Sequence, residues 1–167
     1  MKGGIDKMKM MTTLALIAIL IAGCDILKTK SNGNGGLTAT FSLTDTTGHV
    51  ATVFHSGEQF LMSFSVVNTT NDTLTYHYSE PPVIFSILKD GNVVASSTDG
   101  YVFPMNVNAG FVAPGKALAG SWKAPNTPAQ NPKVMLAAGT YQASVSFSQF
   151  EEAKVNPVST ITFSVIQ

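Results

Sequence analysis

Apolar and polar residues alternate with a period of two through most of the chain after residue 36. The first such segment has apolar side chains at every second position, namely Leu37, Ala39, Phe41 and Leu43. Alternation continues at 60–68, 141–148 and 161–165, and shorter apolar stretches lie at 49–54, 74–78, 83–88 and 117–122. Because successive side chains of a strand point to opposite faces, this pattern predicts half-buried strands. No segment after residue 36 has a sustained helical period, so an all-β antiparallel sandwich is expected.

A hairpin is predicted at Asp90-Gly91, because the positive φ angles of a two-residue turn suit Gly and are tolerated by Asp. Pairing about this turn sets Leu88 against Val93 and Ile87 against Val94. Pro114-Gly115 predicts a type II turn, since Gly accepts the positive φ of the third turn position.

A second kind of pattern occupies the first 24 residues. Lys2, Lys7 and Lys9 precede an uncharged apolar run at 12–22, which is too short to span a bilayer comfortably and typical of a signal peptide. The run ends in small residues before Cys24, and Ile21-Ala22-Gly23-Cys24 resembles the lipobox of bacterial lipoprotein precursors. The resemblance implies cleavage between Gly23 and Cys24 and lipid attachment at Cys24.

Three parts of the chain follow: a lipoprotein signal peptide at 1–23, a lipidated Cys and flexible tether at 24–36, and a β-sandwich domain at 37–167. The tether is predicted from Lys28–Gly36, which is polar and rich in Gly. We expect an exported protein, held in the cell envelope on an inner or an outer membrane by lipid on Cys24. Met8, Met10 and Met11 are alternative start positions to Met1.

Composition excludes some partners. All ten basic residues are Lys, with no Arg and no basic patch, so nucleic acid is not an expected partner. After residue 23, seven Lys and nine acidic residues leave a net charge of −2. The single cysteine, Cys24, excludes an internal disulfide and a Cys-based zinc site.

Catalytic and metal-binding patterns are weak. The three histidines, His49, His55 and His77, are predicted as exposed strand residues rather than metal ligands. There is no Gly-x-Ser-x-Gly motif, and the acids are scattered in predicted turns. We therefore expect a binding protein rather than an enzyme, with no metal and no cofactor. Trp122 and Tyr141 are predicted as core residues, with a ligand platform as the alternative.

Residues 58–150 resemble the BsuPI domain, the intracellular proteinase inhibitor family. The matching features come in the family's order: Phe64–Asn68 ending a strand, Val83–Lys89 running into Asp90-Gly91, a Ser97–Phe103 segment, Pro114-Gly115, Trp122, and Gly139-Thr140-Tyr141. The resemblance implies an immunoglobulin-like β-sandwich and inhibition of a serine proteinase. The chain departs from the family in its export signal, and the matched positions are scaffold residues.

Two segments are candidate binding loops. The first is Tyr101–Asn106, with Tyr101, Phe103, Pro104 and Met105, and the second is Ala124–Ala138, which contains three prolines and no alternation. Three functions compete: a protein-binding module that inhibits a protease, a structural or adhesive module that binds another envelope protein, and a glycan or small-molecule binder that uses Trp122.

Replacing Cys24 with Ser tests the anchor. We expect Cys24→Ser to enter the soluble fraction with its leader uncut by the lipoprotein peptidase, because the thiol that carries the lipid is lost. Palmitate labelling and membrane fractionation measure this. Labelling and membrane association that survive the change would contradict the lipoprotein assignment.

Overall fold

The fold was analysed on a computed structural model, which describes residues 28–33, 36–152 and 160–167. Every regular element in these ranges is a β-strand. The strands are β1 Lys28–Gly33, β2 Leu37–Thr44, β3 Val53–His55, β4 Phe60–Asn68, β5 Leu74–Tyr78, β6 Val83–Lys89, β7 Asn92–Ser96, β8 Asn108–Val112, β9 Ala117–Ala124, β10 Gly139–Phe147 and β11 Ile161–Ile166. In this part of the chain, no helix is long and apolar enough to cross a membrane. The predicted cleavage and lipid site, Gly23 and Cys24, lies outside the described residues.

Two sheets and a short ribbon contain all the strands. One sheet has the order β1-β2-β4-β9, the other has the order β3-β11-β10-β6-β7, and β5 pairs with β8 apart from both. All pairs are antiparallel except β3 with β11. β2 and β3, which follow one another in the chain, thus lie in different sheets. The predicted all-β sandwich is confirmed.

Tyr141 makes a hydrogen bond that is characteristic of one class of β-sandwich. It lies near the start of β10, and its hydroxyl donates a hydrogen bond to the carbonyl of Ala137, at 2.8 Å. A tyrosine that bonds back to the chain just upstream of this strand is the tyrosine corner of immunoglobulin-like sandwiches. It fixes the end of the loop that enters β10.

Aromatic side chains join the sheets. The ring of Phe60 on β4 lies 4.3 Å from that of Phe54 and 5.1 Å from that of Phe163, both on the facing sheet. Further along, the rings of Phe41 and Phe85 are 6.3 Å apart. Trp122 and Tyr141 are buried with this cluster, so the prediction that they are core residues is confirmed.

The segment 49–54 differs from its prediction. The sequence pattern, with a turn expected at Asp45–Gly48, predicts a return strand at 49–54 that pairs with β2, but the only pairing with β2 there is a single bridge between Thr44 and Val50. The chain then crosses to the other sheet, where β3 runs parallel to β11. Crossing places Phe54 in the aromatic cluster between the sheets, with 1% of its surface exposed, which a hairpin on β2 would not do.

The hairpin at Asp90-Gly91 is confirmed, with φ angles of 51° and 80°. Leu88 pairs with Val93 as predicted, but Ile87 pairs with Ala95 and not with Val94. The register shifts between Ile87 and Leu88, so β7 has one extra residue, a β-bulge. The extra residue leaves Val94 at the surface and places the smaller Ala95 in the core.

The predicted tether is partly a strand. Lys28–Gly33 forms β1 and pairs with β2 in antiparallel register, Lys28 opposite Ser42 and Gly33 opposite Leu37. The polar sequence of this segment did not exclude a strand, because the hydrogen bonds between neighbouring strands come from the backbone. A strand at the edge of a sheet needs no apolar side chains. Lys at an edge also disfavours pairing with other chains.

Asn68 organises the end of β4. Its buried side-chain amide donates to the carbonyls of Asp72 and Val112 at 2.8 and 2.9 Å, and its side-chain oxygen accepts from the backbone N–H of Thr70. Its backbone pairs with the Pro114-Gly115 turn, accepting from Gly115 N–H and donating to the carbonyl of Lys116. Gly115 has a φ of 71°, as the predicted type II turn requires.

Replacing Asn68 with Ala should lower the free energy of unfolding by about 3 kcal/mol, because buried partners lose hydrogen bonds that water cannot replace. Urea denaturation measures this. Asn71→Ala is the matched control, since Asn71 is exposed in the same turn, and it should change stability little. Equal effects of the two changes would contradict the role given to Asn68.

Candidate functional site

The predicted binding loop lies on the surface between β7 and β8. Met105 and Val102 are fully exposed, and Tyr101 is 45% exposed. Phe103 is half-buried, with its ring 6.2 Å from that of Tyr101, and Pro104 is exposed. The four predicted residues therefore share one loop, and Val102 joins them as an exposed apolar residue that the sequence reasoning did not single out.

The exposed apolar surface continues along β8. Val107 and Phe111 are 70% and 68% exposed and stand two positions either side of Ala109, so all three face the same way. Of the ten large apolar side chains exposed in the described residues, five lie between 101 and 111. Such a concentration on a soluble domain is typical of interaction surfaces.

The base of this loop is fixed. The Asp99 carboxylate accepts from the backbone N–H of Ser96 at 2.8 Å, and the Thr127 hydroxyl donates to the Asp99 carbonyl at 2.6 Å. Gly100 packs so closely that a Cβ there would lie 2.6 Å from the carbonyl oxygen of Ala129. The two candidate loops, treated as alternatives in the sequence, thus contact one another.

The second candidate loop, 124–138, has no strand but is held by side chains. Asn126 exchanges two hydrogen bonds with the backbone of Val134, at 2.9 and 2.6 Å. Thr127 and Leu136 are buried, and Lys133 donates to the carbonyl of Thr127. The second candidate loop is therefore an ordered segment that packs next to the first.

A groove opens between the sheets where these loops meet β9. We call it the edge groove. It has a volume of about 260 Å³, and its lining residues are Pro81, Val83, Phe85, Ser97, Tyr101, Gly120, Ser121, Trp122, Thr127 and Pro128. Gly120 allows the close packing of its floor, because a Cβ there would lie 3.0 Å from that of Val83. The groove joins Tyr101 of the predicted loop to Trp122.

Trp122 has an unusual environment within the groove wall. Its side chain is buried, yet the indole N–H has no acceptor among the described residues. A buried donor without a partner costs about 1–3 kcal/mol. The sequence showed the residue but not this property.

The described histidines lie next to carboxylates at the surface. His49 lies 3.5 Å from the Asp45 carboxylate and His77 lies 2.8 Å from that of Glu151, both near the surface. No group of three or more metal-binding side chains occurs among the described residues. Partial burial raises the pKa of Tyr76, whose ring lies under Gly110 of the β5-β8 ribbon.

Comparison with models of known protein families gives no match, and comparison with curated proteins gives no similar sequence.

Removing the hydroxyl that joins the two loops tests how the site is held. Thr127→Val should lower stability by about 1 kcal/mol and speed hydrogen exchange at 97–107, because the Asp99 carbonyl loses its buried donor. Exchange measured by mass spectrometry reports this. Thr140→Val, an exposed position on β10, is the control. Unchanged exchange in Thr127→Val would show that other contacts fix the loop.

Proposed function

We propose that this protein is an exported, lipid-anchored protein-binding module of the cell envelope. Its contact surface is the apolar loop, defined as residues 101–107, together with the outer face of β8. The protein acts by binding and carries out no reaction of its own.

One observation carries the proposal: Val102 and Met105 are fully exposed on a loop whose base is fixed. Burying such a side chain against a partner contributes about 1.5–3 kcal/mol. A loop whose base is fixed loses less conformational entropy on binding than a loop without such contacts, which favours affinity. Exposed apolar side chains on a fixed base therefore suit recognition of another protein.

A serine proteinase is the narrower candidate partner. The BsuPI resemblance favours it, and the loop exposes Pro104 and Met105 next to the half-buried Phe103. A structural partner in the envelope would use the same surface without entering a protease active site. The two differ in whether binding blocks peptide hydrolysis.

The test places a photo-crosslinking residue at Val107 in the full chain, expressed in its native membranes. Met105→Asp should reduce the crosslinked protein at least tenfold, since a carboxylate would have to be desolvated in the contact. Val93→Asp, an equally apolar exposed site on β7, should leave it unchanged. Subtilisin-type proteases titrated with the same variants show whether the partner is a protease.

Two results would contradict the proposal: crosslinking only to lipid, or equal crosslinking in Met105→Asp and the parent protein. Protein crosslinks without stoichiometric inhibition of any protease would leave the binding function in place and remove the inhibitor assignment.

A further inference from the structure

The outer edge of β9 is unpaired in the described part of the chain. β9 ends its sheet, next to β4, and no hydrogen bond from another described element reaches its outer side. Asn68 N–H donates to the carbonyl of Lys116, and such pairs recur at every second residue, so the even-numbered residues of β9 bond to β4. The odd-numbered residues therefore direct their backbone N–H and C=O groups away from β4, toward the open edge. These residues are Ala117, Ala119, Ser121 and Lys123.

Apart from Lys123, this edge lacks the features that usually prevent strand addition. β9 has eight residues, no proline and no register shift against β4. The solvent-facing side chains of β9 occupy alternate positions from Ala117 to Lys123, and all of them except Lys123 are small. Natural edge strands are usually shortened, bulged or covered. An edge left open over this length is suited to receiving a strand.

The edge groove runs beside β9 at Gly120–Trp122 and adds a specificity element. Its volume of about 260 Å³ is smaller than cavities that enclose drug-sized ligands, which measure about 300–1,000 Å³. It suits single side chains of a peptide, and strand-adding peptides use such pockets for alternate residues. Trp122 lines the groove, and its buried indole N–H has no acceptor among the described residues, so this side chain is sensitive to any change in the groove.

The charged side chains around β9 indicate which kind of partner strand would pair with it. Lys116 and Lys123 stand at the two ends of β9, and Lys133 lies with Lys123 beside the loop that borders the groove. None of them forms an ion pair with a described residue. Three of the seven lysines after residue 23 thus surround this edge, although that part of the chain carries a net negative charge.

We propose that the β9 edge and the edge groove bind an extended, acidic segment of a partner protein, which adds as a fifth strand to the β1-β2-β4-β9 sheet. One alternate side chain of that segment enters the groove beside Trp122, and carboxylates at its ends face Lys116 and Lys123. This inference deepens the proposed function by naming the chemistry of the partner segment, and it rests on that function.

The probes are synthetic twelve-residue peptides with an alternating Val-Thr centre and two Glu at each end, with Lys-ended peptides of the same centre as controls. Trp122 is the only tryptophan, so its emission reports occupancy of the groove in the full chain. We expect the acidic peptides to bind with a shift in emission, more weakly at high salt, and the Lys-ended peptides to bind at least tenfold more weakly.

Ala119→Pro removes an outward N–H without removing a bond to β4, and should weaken binding of the acidic peptide at least tenfold. Ala119→Ser keeps the N–H and is the matched control. A peptide N-methylated at alternate residues makes the same test without changing the protein, and it should also fail to bind. Equal binding to both variants and of both peptides, or no binding by any peptide, would overturn the inference.

Two further outcomes separate this inference from the proposed function. A native crosslink lost in Met105→Asp but kept in Ala119→Pro would overturn strand addition and leave protein binding in place, whereas a crosslink kept in both would overturn both. Concentration-dependent dimerisation that Ala119→Pro abolishes would identify a second copy of this chain as the occupant and overturn the acidic partner.

Discussion

The contact of Phe60 with Phe54 and Phe163 is the interaction on which the rest of the structure depends. It joins β4 to the facing sheet, and it explains why the chain leaves β2 and crosses to pair with β11. Stacked and tilted aromatic pairs contribute beyond the area that they bury. The crossing also closes one side of the sandwich with covalent chain.

The other side of the sandwich is closed only by loops. β9 and β7 end their sheets there, and the contact between Gly100 and Ala129 and the hydrogen bond from Thr127 to Asp99 bridge the gap. This asymmetry places the exposed apolar loop and the edge groove on one side. Function is expected where the fold leaves polar backbone and apolar side chains without partners, and both occur here.

The alternation of apolar and polar residues was enough to predict β2 and β4 with the bounds that the structure gives them, because each strand buries every second side chain. It was not enough for β1, whose strand depends on the open edge of β2 and not on its own side chains. Nor could local pattern show the bulge at Val94 or the crossing at β3, which follow from the shape of the core. The candidate loop was found from its composition, but the groove requires the meeting of residues from β6, β9 and three loops.

The two edges of the first sheet explain how anchoring and binding can coexist. β1 and β9 are its opposite margins, separated by three strand spacings of about 4.8 Å each. Four residues from Cys24 to Lys28 extend at most about 14 Å, so a lipid on Cys24 would hold the β1 edge close to the membrane. With the proposed lipid anchor, the β9 edge would be the margin of the sheet farther from the point of attachment, and so the one that the proposed partner segment could reach.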